Sequence, residues 1–380
     1  MNRIFVLVFV LSKLGAQVTY TWTGANSNNF SNLGNWSPTA TLVPGSILGD
    51  DVVFDGTSSV TCNLDVNITV HDFLIKSSYL GTIDAQSSLP TITNSFIQNG
   101  GTFIATSLNM DVSGNTFSIT GGTFTHNGGD VTIYVGIGLT WVIAGSPIFN
   151  NLFIMKSTGS NTTERIINFG SCSAINLILD GSAAPYSYMG NVDILSGLTM
   201  LGTSTGTPTT NSGTFTFSGA GPLAITGAGA AARNKLPNIV VNTTGSISIT
   251  GHVNIQGNWT GTQGTLTIGS STENFYGTSV SINGTASAFD NIGIQPGASV
   301  SFPTAEVKVG RSLINSGSVS FASTGAIGLN GPSVQTVSLT TATLAAINGY
   351  NTGSARAVTL VGAINILDSI SAQTNVTFNT

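Results

Sequence analysis

Residues 264–316 decide the fold, and they read GTLTIGSSTENFYGTSVSINGTASAFDNIGIQPGASVSFPTAEVKVGRSLINS. Three short patterns follow one another in this stretch. A glycine-led strand pattern, Gly264-Thr-Leu-Thr-Ile, comes first, and an apolar segment, Phe289-Asp-Asn-Ile-Gly-Ile, begins about 25 residues later. An alternating strand pattern, Val307-Lys-Val-Gly-Arg-Ser-Leu, closes the unit. We call the whole unit a cassette and its middle segment the clip.

The cassette occurs four times along the chain. Its four degenerate copies cover residues 121–212, 213–263, 264–316 and 317–380. A fixed order at a nearly fixed step is typical of a repeat array, in which each unit stacks on its neighbours to bury its apolar face. Residues 58–120 carry short strand patterns without a complete cassette, and they are predicted to start the same array.

Apolar and polar residues alternate within each cassette, as in Thr214-Phe-Thr-Phe. This period of two predicts strands with Phe, Ile and Val inward and Thr, Asn and Gln outward. We therefore predict an all-β fold, a single elongated and mainly parallel β-solenoid (β-helix) behind an N-terminal cap. The alternative is a string of tandem β-sandwich domains, for which a step of about 53 residues is short. Loops are predicted at 182–188 and 203–210.

The composition favours a packed core with a neutral surface. Charged residues make up 7% of the 380 residues and hydrophobic residues 41%, and there are 47 glycines. An ordinary globular domain has roughly 25% charged residues. The apolar content argues against disorder, and the glycines suit many tight turns between short strands.

The first sixteen residues resemble a secretory signal peptide. Arg3 supplies the positive charge, and residues 4–11 form an apolar run that is too short to span a bilayer. Cleavage after Ala16 leaves Gln17 as the first residue. The alternative is an N-terminal anchor helix. A signal at 1–16 predicts a secreted protein, extracellular or at the cell surface.

The mature chain is acidic. Removing Arg3 and Lys13 leaves 8 basic residues against 15 acidic ones, a net charge of −7. Without a basic patch, nucleic acid and anionic membrane surfaces are poor partners, and we predict no nucleic-acid binding. No other run is long and apolar enough to be a membrane span.

Residues 17–57 differ from the rest of the chain and are predicted to cap the N-terminal end of the solenoid. An open end exposes apolar cross-section and unpaired strand edges, which Trp22, Phe30 and Trp36 could cover. The alternative is a sugar-stacking or calcium site that uses the nearby aspartates, Asp50, Asp51 and Asp55, although their spacing is not that of a calcium-binding loop.

The two cysteines, Cys62 and Cys172, are 110 residues apart, which places them several coils from one another. A disulfide needs Cα atoms within about 7 Å. We expect both cysteines to be buried and free.

The central asparagine of the clip (Asn151, Asn238 and Asn291) is predicted to hydrogen-bond to turn backbone or to its equivalent in the next coil, which would fix the register. The alternative is an ordinary turn asparagine.

Signals for catalysis are weak. The histidines, His71, His126 and His252, stand singly, without metal-ligand spacing, and the glutamates are Glu164, Glu273 and Glu306. The sequence leaves open whether two carboxylates from neighbouring coils lie close enough to form a pair. We predict no catalytic, cofactor-binding or metal-binding residues and no cofactor, and we expect a non-enzymatic protein.

A carbohydrate-active or carbohydrate-binding β-helix protein is the alternative. A binding module would use exposed rings, for which Trp141, Tyr186, Tyr188 and Trp259 are the candidates. A polysaccharide lyase needs clustered cations, and the basic residues here are scattered.

The pattern resembles the repetitive secreted surface proteins of Bacteroidota, many of which leave the cell by the type IX pathway. The opening Tyr20-Thr-Trp-Thr-Gly, Gly34-Asn-Trp-Ser-Pro and Asp50-Asp-Val-Val-Phe is similar to the segment that often precedes such arrays, and the clips are similar to their repeat unit. The resemblance implies adhesion or a structural fibre. Surface glycans, a cell-surface or matrix protein, or further copies of the chain would be the partners.

Overall fold

The structure is a computed structural model. It describes residues 17–46, 49–114, 116–135, 140–143, 145–156, 165–180, 186–201, 211–228, 235–267, 270–284, 288–302, 306–331, 335–350, 356–373 and 376–379. Strand makes up 69% of the residues in these ranges. Within the described ranges the only helix is one 3-10 turn, Leu33–Asn35. The all-β prediction is therefore confirmed.

The strands are numerous, and their lengths run from 2 to 18 residues. Those of the first half are β1 (Thr19–Trp22), β2 (Trp36–Ser37), β3 (Asp51–Phe54), β4 (Cys62–Asn63), β5 (Ile68–Ile75), β6 (Thr82–Asp84), β7 (Pro90–Ile104), β8 (Asn109–Val112), β9 (Thr116–Thr125), β10 (Asp130–Val135), β11 (Thr140–Ile143), β12 (Ile148–Lys156), β13 (Arg165–Asp180) and β14 (Tyr186–Leu201). Those of the second half are β15 (Thr214–Phe217), β16 (Leu223–Thr226), β17 (Asn238–Ile255), β18 (Trp259–Thr267), β19 (Ser271–Phe275), β20 (Val280–Gly284), β21 (Ala288–Ile294), β22 (Ser299–Phe302), β23 (Glu306–Asn315), β24 (Ser318–Phe321), β25 (Ala326–Leu329), β26 (Gln335–Gly349), β27 (Arg356–Ala372) and β28 (Val376–Asn379).

Strands pair in parallel with the strands one coil before and one coil after them. Phe73 of β5 pairs with Phe96 of β7, which pairs with Phe117 of β9, in steps of 23 and 21 residues. In the described part of the chain the one antiparallel strand pair joins β1 to β2. The coils form a parallel β-solenoid of about 13 turns. This confirms the solenoid and excludes the tandem sandwiches.

Inward side chains form an apolar column along the solenoid. The rings of Phe73, Phe96 and Phe117 stack at centroid distances of 5.7 and 5.3 Å. A second stack joins Phe103 and Phe124 at 5.6 Å. Stacked aromatic pairs add about 0.5–1.5 kcal/mol beyond the burial of their surface. The inward half of the period-two pattern therefore holds neighbouring coils together.

Two of the cassette-leading glycines lie at corners of the coil. Gly122 and Gly264 have φ of +73° and +101°, a region that favours glycine. A Cβ atom on Gly122 would lie 2.3 Å from the carbonyl oxygen of Gly100 in the preceding coil. The coils approach too closely there for any side chain.

The parts of the cassette fall on strands, but their bounds differ from the prediction in places. In the third copy they lie on β18, β21 and β23. In the first copy the Gly122-led pattern is the second half of β9, because the ladder continues through the corner. The predicted loop at 182–188 is wrong at its end, where Tyr186 begins β14. Residues 182–185 and the predicted loop 203–210 lie outside the described residues.

The N-terminal segment packs aromatic rings on the first coil. The ring of Trp36 lies 4.6 Å from Phe30, 5.2 Å from Trp22 and 6.1 Å from Phe54 of β3, between centroids. All four side chains are buried, and β1 pairs in parallel with β3. A cap would make these contacts. The cap itself and its bounds, 17–57, stay a prediction.

The clip asparagines bridge neighbouring coils, as predicted. Asn151 Nδ2 donates to Asp130 Oδ1 at 2.7 Å, and Asn176 Nδ2 donates to Asn151 Oδ1 at 2.8 Å. Asn238 and Asn291 donate to backbone carbonyls of the preceding coil at 3.0 and 2.7 Å. These bonds join residues that are register neighbours, so they favour one register over a slipped one.

Replacing the bridging asparagine should destabilise the solenoid. In Asn151→Ala both bonds to the neighbouring coils are lost, so we expect the free energy of unfolding to fall by about 1–3 kcal/mol in a urea titration. Asn127→Ala, at an exposed turn position, is the matched control and should change it little. Equal stability of the two variants would contradict a role in coil pairing.

Cys62 and Cys172 are both free and buried, as expected. Burial raises the pKa of both thiols, and nearby carboxylates, Asp65 and Asp193, add to the rise. Each side chain faces inward from its strand, β4 or β13, and serves as a small apolar core residue.

Both thiols should therefore be unreactive in the folded chain and reactive once it unfolds. We expect a thiol reagent at mildly alkaline pH to label neither cysteine in native protein. It should label both in urea without a reductant, as counted by intact-protein mass. Labelling that appears only after reduction would contradict free thiols.

Candidate functional site

A groove lined by both polar and apolar side chains crosses the outer face of strands β19, β21 and β23. Its volume is about 280 Å³. The polar residues that line it are Thr272, Asn274, Asn291, Gln295, Ser312 and Ser316. We call it the amide groove.

Alternation along each strand brings these side chains to one face. Asn274, Gly293 and Ile314 are register partners in three successive coils, and Asn291 partners Ser312 in the row beside them. Sequence reasoning missed this groove. Polar residues two positions apart, repeated about 20 residues later, were a signal that could have found it.

Gly293 forms the floor of the amide groove. A Cβ atom there would lie 2.5 Å from Asn274 Oδ1 and 3.1 Å from Gln295 Nε2. Gln295 Nε2 donates to Asn274 Oδ1 at 2.8 Å, and Asn274 Nδ2 donates to Asn254 Oδ1 at 3.2 Å. The amides are thus aligned along the solenoid axis before any ligand arrives.

The groove suits binding better than catalysis. Its described lining contains hydroxyls, carboxamides and aliphatic carbon, including Ile314, which is 50% exposed. None of these side chains is a general acid or base near neutral pH. They can hydrogen-bond to a neutral hydroxylated ligand and contact its apolar face.

Two carboxylates lie near the groove but do not line it. Glu273 of β19 points into the core and is fully buried, and neither of its oxygens has a hydrogen-bond partner. Burial raises the pKa of Glu273 to about 8, and the Asp290 carboxylate adds to the rise. Asp290, itself buried, lies 3.4 Å from Arg311. Because substrate has no access to Glu273, this pair does not form a glycosidase site.

Glu273 should make stability fall as pH rises. Its pKa is raised in the folded state, so the protonated carboxyl's contribution is complete below about pH 4.5 and is lost as pH rises toward 8. The glutamine in Glu273→Gln cannot ionise, so this variant does not lose stability in that way as the pH rises. We expect it to match the native chain at pH 4 and to be more stable at pH 8.5, by on the order of 3–5 kcal/mol, in thermal unfolding.

Glu306→Gln is the control for that experiment, because Glu306 is only half-buried and its carboxylate accepts hydrogen bonds from Asn348 and Tyr350, each at 2.7 Å. The Glu306→Gln variant should be no more stable than the native chain at pH 8.5. A Glu273→Gln chain with the same pH profile as the native one would show that Glu273 is ionised in the fold. Glu164 lies outside the described residues.

One polar cluster unites a histidine with two aspartates, which sequence reasoning treated separately. His71 Nδ1 lies 3.1 Å from Asp51 and 3.7 Å from Asp72, and the three ligand atoms lie within 4.8 Å of one another. Asp51 and His71 are 20 residues apart, so the length of one coil was the missing signal.

Donors from the same chain form hydrogen bonds with the Asp51 carboxylate of this cluster. The Asp51 carboxylate accepts from Gln17 Nε2 at 2.8 and 2.9 Å, from Thr19 Oγ1 at 3.2 Å and from the Asp72 backbone N–H at 3.1 Å. A carboxylate offers about four acceptor positions. We interpret the cluster as a network that ties the N-terminal strand to the first coils.

The other predicted site residues do not converge. Asp50 accepts from the Gly45 backbone and Asp55 from Thr57, so the aspartates near the N-terminus do not surround one point. His126 lies in the turn between β9 and β10, and His252 lies on β17.

The prediction of exposed rings for sugar stacking is wrong for three of the four aromatic residues suggested. Tyr186, Tyr188 and Trp259 are fully buried, because they occupy inward positions of β14 and β18. Trp141 is part of β11, and its side chain lies outside the described residues. Three of the four rings proposed to stack on a sugar are therefore inaccessible to it.

No protein-family model, curated protein or solved structure matches this chain. In the described residues, no helix has the length and apolar character needed to cross a membrane.

Proposed function

We propose that this chain is a non-enzymatic structural or adhesive repeat protein of the cell surface or extracellular space. The amide groove is the observation that carries the proposal. It offers preorganised neutral donors and acceptors on a stiff scaffold, and no reactive group among its described lining residues.

Rows of hydroxyl side chains on the outer face of the solenoid support an adhesive role. Thr199, Thr226 and Thr250 are register partners in successive coils, and Ser299 and Ser318 form another such pair. Such rows repeat hydroxyl groups at the coil spacing, about 4.8 Å. A long neutral ligand could contact many coils at once, so that weak contacts add up.

The likeness to type IX-exported surface proteins of Bacteroidota and the signal-like residues 1–16 agree with this role. Both are features of the sequence. Neutral surface glycans are the partner class that fits the groove best, and a matrix protein or further copies of the chain are the other partners considered.

A carbohydrate-active enzyme is the competing function. Such a site needs two accessible carboxylates roughly 5–10 Å apart, or clustered cations for uronates. Glu273 is buried, the Glu306 carboxylate accepts hydrogen bonds from Asn348 and Tyr350, and three of the four aromatic candidates are buried, which favours binding over cleavage.

The decisive experiment measures binding and cleavage together. The purified chain is passed over immobilised neutral polysaccharides, and reducing ends are counted in the eluate. We expect retention without new reducing ends. Gln295→Ala should stay folded and weaken retention several-fold, because it removes one groove amide, and its melting temperature should fall slightly because the bond to Asn274 is lost.

Gln263→Ala is the matched control, since Gln263 is exposed on β18 and does not line the groove. Its retention should equal that of the native chain. Reducing ends that increase with protein concentration would overturn the non-enzymatic assignment. If both glutamine variants are retained equally, the polysaccharide does not bind in the amide groove.

A further inference from the structure

A cationic side chain points into the solenoid core at the start of β13. Arg165 is 1% exposed. Its register partner in the next coil is Tyr186 of β14, and Tyr188 follows two residues later on the same inward side. Both tyrosines are fully buried, with ring centroids 6.2 Å apart.

The polar atoms of this cluster lack acceptors. Arg165 Nε and Nη1 and the hydroxyls of Tyr186 and Tyr188 are buried without a hydrogen-bond partner. Each such group costs about 1–3 kcal/mol when left unpaired, and a charged one costs more. Because this cost applies to four buried donor atoms in one cluster, an acceptor that binds among them would stabilise the fold.

Aromatic rings pack around the cluster, and the described negative charge that acts on it, that of Asp180, is the smallest of the influences on the pKa of Tyr186. The rings of Phe169 and Phe215 lie 6.3 and 5.3 Å from the Tyr188 ring, between centroids. None of the ion pairs between described residues involves Arg165. A buried cation without a counter-charge is strongly destabilising.

Both tyrosines keep their protons at neutral pH. Burial raises the pKa of Tyr186 to about 12, and the neighbouring Arg165 charge opposes that rise. Burial also raises the pKa of Tyr188. The hydroxyls therefore remain donors beside the guanidinium.

We propose that Arg165, Tyr186 and Tyr188 form an internal binding site for a small monovalent anion of the halide class. The anion accepts hydrogen bonds from the guanidinium and the two hydroxyls, and its charge balances that of Arg165. One negative charge is required, since a divalent anion would leave an excess charge in an apolar core. This site lies inside the solenoid and is independent of the adhesive role.

The test compares the full chain in sodium chloride, bromide and gluconate at one ionic strength, by thermal unfolding. A ligand that binds only the folded state raises its melting temperature in a saturable way. We expect a rise of several degrees in chloride or bromide relative to gluconate. Arg165→Met should abolish the halide-dependent rise.

Tyr188→Phe keeps the test decisive even where Arg165→Met does not fold. Its hydroxyl has no protein partner, so the variant should melt like the native chain in gluconate and show a smaller rise in halide. Arg311→Met, at an arginine whose side chain is 52% exposed, is the control and should keep the full rise.

Bromide offers a direct view of the site, because its anomalous scattering should give a peak beside the Arg165 guanidinium in crystals grown with it. Equal melting temperatures in all three salts would overturn the proposal. A halide-dependent rise that is unchanged in Tyr188→Phe would overturn it as well.

Discussion

The parallel pairing of each coil with the next is the constraint on which the rest of this structure depends. A strand such as β7 satisfies its backbone groups only through β5 and β9, each about one coil away. The coil length must therefore stay near 20–25 residues, and the corners must let neighbouring backbones touch. Gly122 meets the second requirement, since any side chain there would collide with the coil above.

The same constraint separates the inside from the outside. Inward positions are buried in most of the described coils, whatever residue occupies them, so Glu273 and Arg165 lie in the core beside phenylalanine and isoleucine. An outward position repeats at the coil spacing, so asparagine, threonine and serine become rows. Chemistry that needs reactive groups at an accessible point gains little from this arrangement. Recognition that uses many weak neutral contacts gains a great deal.

Several features could be predicted from the sequence because they depend on local alternation and on the repeat. The strand-forming cassettes, the inward phenylalanines, the separated cysteines and the cross-coil bonds of Asn151 all belong to this class. The functional surfaces do not. The amide groove and the Asp51–His71 contact join residues about 20 positions apart, and their meeting depends on the length of a coil with irregular insertions.

The sequence by itself determined the fold class, because a period of two and a cassette repeated at a nearly constant step admit few architectures. Only the tertiary structure decided which way individual side chains face. Tyr186, Tyr188 and Trp259 carry both a ring that prefers burial and a polar atom that prefers water, so composition allows either side. Register decided the matter, because a shift of one residue exchanges the two faces of a strand. It turned all three rings inward and left carboxamides to form the outer groove.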